Sequence, residues 1–197
     1  MKKQKKSLEM PELEVLESEL HRVRYKNRYR QVLHSTVFTL ITVAAVAVLV
    51  ATLWLPVLRI VGVSMTPTLE EGEIVVSLKG SSFQTGDVIA FYYNNKVLVK
   101  RVIARSGQWV NIDEKGTVSV DGHIIEEPYI SEPALGECNI ELPYQVPDGK
   151  YFVMGDHRAT SVDSRSLAVG CVDDEQVVGR IVLCVWPLKG FRQISIR

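Results

Sequence analysis

Val88-Ile89-Ala90-Phe91-Tyr92-Tyr93-Asn94-Asn95-Lys96-Val97-Leu98-Val99-Lys100-Arg101-Val102-Ile103-Ala104 sets two runs of β-branched and aromatic residues on either side of Asn94-Asn95. Such runs read as strands, and asparagine tolerates the positive φ that a tight hairpin tip demands. The stretch therefore predicts an antiparallel pair, residues 88–93 against 97–104. Segments of the same character recur at 74–76, 109–112, 151–154 and 177–186. Between them stand Glu71-Gly72, Thr85-Gly86-Asp87, Ser106-Gly107, Asp121-Gly122 and Pro147-Asp148-Gly149, all turn signals. Asp121-Gly122 reads as a second hairpin tip. Short strands at this spacing predict a mainly β fold built on a closed or folded-over antiparallel sheet. Residues 126–147, with Pro128, Pro133, Pro143 and Pro147, read as an excursion from that core. No repeat of 20–50 residues and no low-complexity tract interrupts the pattern.

Outward from the β region, the chain changes character. Its zero net charge hides an asymmetry: residues 1–36 carry nine Lys/Arg against five Asp/Glu, and residues 59–197 carry fourteen against eighteen. Residues 37–58 carry no charge. A bilayer core about 30 Å thick needs roughly 20 helical residues, and lipid offers the backbone no hydrogen-bond partner, so a span must be helical. The expected order is a basic cytoplasmic segment at 1–36, a single transmembrane anchor helix at 37–58 and an extracytoplasmic β domain at 59–197. Basic residues beside the apolar run set its orientation, and Trp54 suits the far interface. Ala45-Val46-Ala47 has the small-x-small form of a cleavage site, but an apolar run that continues past Ala47 is longer than a removable signal requires. Leu13, Leu16, Leu20 and Val23 fall at helical spacing within 11–30. Arg22, Arg24, Lys26, Arg28 and Arg30 in the same stretch suit anionic headgroups.

Four blocks carry the chemistry. Ser64-Met65-Thr66-Pro67-Thr68-Leu69 comes first, then Gly86-Asp87-Val88-Ile89-Ala90, then Val99-Lys100-Arg101-Val102-Ile103-Ala104. Gly155-Asp156-His157-Arg158-Ala159-Thr160-Ser161-Val162-Asp163-Ser164-Arg165 is the fourth. In this order behind one apolar helix, they resemble type I signal peptidase, the Ser/Lys membrane protease that removes secretory signal peptides. The resemblance runs from about residue 57 to 186. A serine hydroxyl is a weak nucleophile until a base takes its proton, and a lysine serves as that base only when desolvation lowers its pKa. Lys100, among Val97, Leu98, Val99, Val102 and Ile103, has apolar neighbours; taken alone it reads equally as a solvent-facing strand lysine.

The resemblance implies that Ser64 is the nucleophile and Lys100 its base, a Ser/Lys variant of triad logic. It implies that the Ser161 hydroxyl orients the lysine amine and that Asp163 and Arg165 form an ion pair bracing the site. It further implies that Ile60, Met65, Leu69, Ala90 and Val99 surround shallow pockets for the small residues flanking the cut on its signal side. The family's β fold has a smaller inserted region, to which 126–147 corresponds. The implied partners are signal-peptide segments of secreted preproteins and the lipid bilayer, with a secretion translocon compatible; no cofactor is implied. An extended substrate would add along strand edges.

Two positions depart from the family pattern. His157 stands where asparagine is usual, which opens a Ser/His reading, because histidine is the commonest general base. In the His-using branch, however, the histidine occupies the position of Lys100. Gly62 stands where some members carry a serine that helps stabilise the oxyanion, so a second oxyanion donor is not defined. A non-catalytic, membrane-tethered β domain that binds extended peptides is the alternative, as is a self-cleaving Ser/Lys regulator. Metal catalysis lacks its motifs, and no phosphate loop or basic stripe points to nucleic acid. Cys138, Cys171 and Cys184 cannot all pair internally.

The orientation is testable by protease accessibility. Protease added to wall-stripped cells should cut after Arg59 and spare Lys2 to Arg30; a protected C-terminal region would reverse the topology.

Overall fold

Pro11 and Pro56 bracket a stretch without proline or glycine, and in the computed structural model that stretch is one helix, α1, Leu13–Trp54. The structure describes residues 13–80 and 82–194. The basic residues Lys2 to Lys6, and the start of the expected helix at Pro11, lie outside them. The 42 residues of α1 rise about 63 Å at 1.5 Å each, twice a bilayer core. The apolar segment is thus its C-terminal half, and the separate helix expected over 11–30 is its continuation. The helix stops at Trp54, earlier than the expected 58, because a proline disfavours helical backbone in the residue before it. Residues 57–59 then form a strand.

The chain divides near Val50 into the helical unit and a compact unit. In the compact unit β1 (Val57–Arg59), β2 (Ile74–Leu78), β3 (Val88–Tyr93) and β4 (Lys96–Arg105) come first. They are followed by β5 (Trp109–Ile112), β6 (Val118–Val120), β7 (His123–Ile124) and β8 (Tyr144–Gln145). The last are β9 (Lys150–Met154), β10 (Val172–Asp173), β11 (Val177–Trp186) and β12 (Arg192–Gln193). The larger sheet has the order β1-β2-β11-β3-β4-β9-β10, with β12 on β11; every pairing is antiparallel. A smaller sheet runs β7-β6-β5-β8. Asn94 (φ 46°) and Asp121 (φ 51°) sit in the left-handed region at the two hairpin tips.

The excursion begins earlier than the proline pattern indicated. The whole smaller sheet, from Trp109 to Gln145, lies between β4 and β9, and the proline-rich 126–147 supplies only β8 to it. Apolar packing joins the two sheets. Ile103 and Ala104 of β4 and Phe152 and Met154 of β9 cluster with Val110, Ile112, Val118 and Val120 of the smaller sheet.

A second cluster gathers Ile60, Met65 and Leu69 with Val75, Val88, Ala90, Ile181 and Cys184. It seats the Ser64 turn on the sheet. One detail of register matters for the site: β4 pairs with β3 over Lys96 to Arg101, but with β9 only from Arg101 onward. Residues 96–100 therefore leave one edge of β4 without a strand neighbour among the described residues.

Phe152, fully buried between the sheets, is the test of this coupling. Phe152→Ala should cost about 3–5 kcal/mol by lost transfer energy and the cavity left behind, read as a lower urea midpoint for the detergent-solubilised protein.

Candidate active site

Ile60 donates its N–H to Glu73 O (2.8 Å) and accepts from Gly72 (2.9 Å), which extends the β1–β2 pairing by one step. Gly62 then turns the chain at φ +87°, where L side chains are strained. Met65 and Leu69 are drawn into the core, and Leu69 N–H closes one helical turn on Met65 O (2.9 Å). Ser64 is left half-buried at the head of that turn. Its carbonyl accepts from His157 N–H (3.1 Å), tying the first motif to the last. Its own N–H donates to no acceptor among the described residues.

Lys100 lies on β4 opposite Ile89, with 3% of its surface exposed. Its Nζ is 2.7 Å from Ser64 Oγ and 3.0 Å from Ser161 Oγ. Burial pushes its pKa down to about 8; the Asp163 carboxylate pulls it back up, Arg165 lowers it, and Asp156 raises it. Desolvation wins because the two carboxylates are already engaged by guanidinium groups and reach the amine only as screened charges. An amine that is partly neutral near pH 8 can accept a proton from a hydroxyl 2.7 Å away, the geometry of an activated nucleophile.

Three buried arginines hold the surroundings. Arg165 grips Asp163 through Nε and Nη2, each 2.8 Å. It also donates to Leu135 O (2.6 Å), Ala134 O (3.2 Å), Arg158 O (2.9 Å) and Ser161 O (3.3 Å). One guanidinium thus fixes the Ser161 turn and the excursion together. Burial alone would raise the Asp163 carboxyl, but the Arg165 hydrogen bonds and charge, with Gly155 N–H (2.9 Å), hold it below the usual range. Arg101 binds Asp156 bidentately (2.9 and 2.6 Å), reaches Thr68 Oγ1 (3.1 Å) and Gly86 O (2.8 Å), and stacks on Tyr129. Arg158 pairs with Glu127 of the excursion. Lysine would not serve here, since a point charge lacks the planar fork.

Ser64, Lys100 and Ser161 are therefore brought together, with Asp163 and Arg165 directly behind Ser161. Ile60, Met65 and Val99 line a pocket of about 100 Å³ with Ser64 and Lys100. Leu69 and Ala90 do not reach its surface. Both are fully buried, packed behind Ile60 and Met65 in the core, so they set the depth of the pocket and do not line it. The His157 ring meets Thr66 Oγ1 through Nδ1 (3.3 Å) and makes no hydrogen bond to Ser64 Oγ, which removes the geometric basis of the Ser/His reading. Three features escape a reading of the sequence: the Arg101–Asp156 pair, the Arg158–Glu127 pair and the close approach at Gly155. Only the clustering of Arg and Asp inside the motifs hinted at them.

Comparison with known proteins places the chain in a family. Residues 33–186 match the family model described as signal peptidase, peptidase S26. The chain belongs to that family. Signal peptidase IB of Staphylococcus aureus is 35% identical over 151 residues, covering 66% of this chain and 78% of the relative. Signal peptidase I of Bacillus licheniformis is 34% identical over 145 residues, 67% and 77% of the two chains. A crystal structure of a signal peptidase I from Enterococcus faecalis is 29% identical, with a TM-score of 0.41 over 50% of this chain and 96% of that one.

Gly155 tests the packing in this family member. A Cβ there would collide with Ser161 Oγ and stand 2.5 Å from Ser64 O. Gly155→Ala should therefore displace the Ser161 hydroxyl and the Ser64 carbonyl and lower peptide cleavage by about 100-fold, the scale of a misplacement near 1 Å. Circular dichroism should show the sheets intact; wild-type turnover would show that the turn yields freely.

Proposed function

We propose that this chain is a membrane-anchored serine endopeptidase that cleaves signal peptides from exported preproteins, with Ser64 as nucleophile and Lys100 as general base. The observation carrying the reading is the buried Lys100 amine 2.7 Å from Ser64 Oγ, its pKa lowered to about 8. Neutral Lys100 takes the Ser64 proton as Oγ attacks the scissile carbonyl carbon. The oxygen that becomes negative receives Ser64 N–H, which is left without an acceptor among the described residues. The tetrahedral intermediate collapses by breaking the C–N bond, and the Lys100 ammonium returns the proton to the departing amine of the mature chain. Lys100 then takes a proton from a water that adds to the acyl carbon; the C–O bond to Ser64 breaks, Ser64 Oγ takes that proton back, and the signal peptide leaves with a new carboxylate. Ser161 accepts from the amine throughout and fixes its direction (3.0 Å), and Asp163 with Arg165 holds Ser161 in place.

Substrate binding follows from the exposed edges. Residues 96–100 of β4 have one open edge, and residues 59–62 face them across the pocket. An extended signal-peptide segment added along that edge is held by main-chain hydrogen bonds. The pocket of about 100 Å³ admits methyl-sized side chains and not rings, because close-packed walls do not open cheaply. The apolar half of α1 anchors the enzyme, with the basic residues cytoplasmic and the β domain outside, where exported chains emerge. Anionic headgroups meet Arg22, Arg24, Lys26, Arg28 and Arg30, and a secretion translocon is the natural source of substrate.

The dyad is tested by substitution and by pH. Ser64→Ala and Lys100→Ala should each abolish cleavage of a signal-peptide substrate, and the double variant should be no worse than either, since groups acting as a unit do not add. Wild-type turnover should rise with pH through an apparent pKa of about 8, because the neutral amine is the active form. A Lys100→Ala protein with near-normal turnover, or a rate falling over that interval, would overturn the mechanism.

A further inference from the structure

The turn that carries Ser64 borders two pockets. Ser64 and Met65 line the apolar one already described. The next two residues, Thr66 and Pro67, line another of about 260 Å³, closed by Asp156 and His157 and by Glu132 and Ala134 of the excursion. A peptide cut at Ser64 has residues on both sides of the reacting carbonyl. If the signal side fills the apolar pocket, the start of the mature chain must occupy other space beside the same turn. Two residues past the cut reach about 7 Å, enough to enter a pocket whose wall begins two positions after Ser64.

The charge of this pocket is one-sided. Asp156 is neutralised by its bidentate pairing with Arg101, whereas Glu132 is exposed and makes no ion pair among the described residues. The Thr66 hydroxyl gives its hydrogen to Val63 O (2.8 Å), so towards His157 it can only accept. In the tautomer with the hydrogen on Nδ1, the 3.3 Å contact is a hydrogen bond to Thr66 Oγ1 and Nε2 is left as an acceptor. Three polar groups are left on the wall: the Glu132 carboxylate and, in that tautomer, His157 Nε2 accept, and the Ser131 hydroxyl both accepts and donates. The wall is also preset: Arg165 holds the carbonyls of Ala134 and Leu135, and Arg158 holds Glu127.

We infer that this pocket is a subsite for the first residues of the mature chain, and that it selects a cationic, hydrogen-donating side chain there. The inference rests on the peptidase reading above and adds a specificity on the far side of the cut.

The experiment uses the full-length enzyme in detergent. The substrates are signal-peptide substrates with alanine before the cut and Lys, Ala or Glu at the first or second residue after it. At one of those positions, kcat/KM should favour Lys over Glu by roughly two- to fivefold, the range for one exposed ion pair, and high salt should erode the preference. Glu132→Lys should reverse the order and Glu132→Gln should remove it. Equal rates for Lys and Glu at both positions, or a Lys preference that survives Glu132→Lys, would overturn the subsite while leaving the peptidase reading standing. Failure of the wild type to cut even the alanine substrate would overturn both.

Discussion

An ammonium group is costly to bury, and the site turns on that cost. Lys100 is almost fully enclosed, and no carboxylate among the described residues touches its nitrogen; its hydrogen-bond partners there are two hydroxyls. Had Asp163 or Asp156 paired with it directly, Coulomb attraction would have restored a fully charged amine and removed the base. Each of those carboxylates is instead claimed by an arginine through two hydrogen bonds. The charges are balanced near the lysine but not on it.

That requirement explains the density of buried arginine. Arg101, Arg158 and Arg165 are among the largest fully buried side chains. A buried ion pair adds little net stability, because desolvation offsets much of its attraction. What these pairs contribute is geometry. Arg165 alone joins Asp163, the Ser161 turn and two carbonyls of the excursion, and it leaves so little room that a Cβ at Gly136 would press on both Arg158 O and Arg165 Nη1. The smaller sheet is thus bound to the site by polar contacts on one side and by the Phe152 cluster on the other.

The same construction makes the Ser64 turn a divider. Its apolar residues, Met65 and Leu69, are spent in the core, and its polar residues face outward on either flank. One flank offers a shallow apolar pocket and an open strand edge, the other a pocket bordered by the Glu132 carboxylate. Unlike surroundings on the two sides of Ser64 suit a substrate whose two halves differ.

Local sequence carried much of this. The hairpin at Asn94-Asn95, the strands at 74–76, 109–112, 151–154 and 177–186, and the apolar span are written in side-chain pattern and turn chemistry, which act over a few residues. The four motif blocks in order carried the family and the pairing of Ser64, Lys100 and Ser161. Folding decided the rest, because it depends on groups far apart in the chain. The helix bound came from Pro56, and the reach of the excursion from which strands found partners. Ala90 and Leu69 went behind the pocket and not into it, since a strand residue's depth is set by what packs over it. Above all, neither Val99-Lys100-Arg101 nor its neighbours can say whether a lysine is solvated or buried. Its lowered pKa exists only once Ser64, Ser161 and two arginine-held carboxylates, 36 to 63 residues away, close around the amine and exclude water.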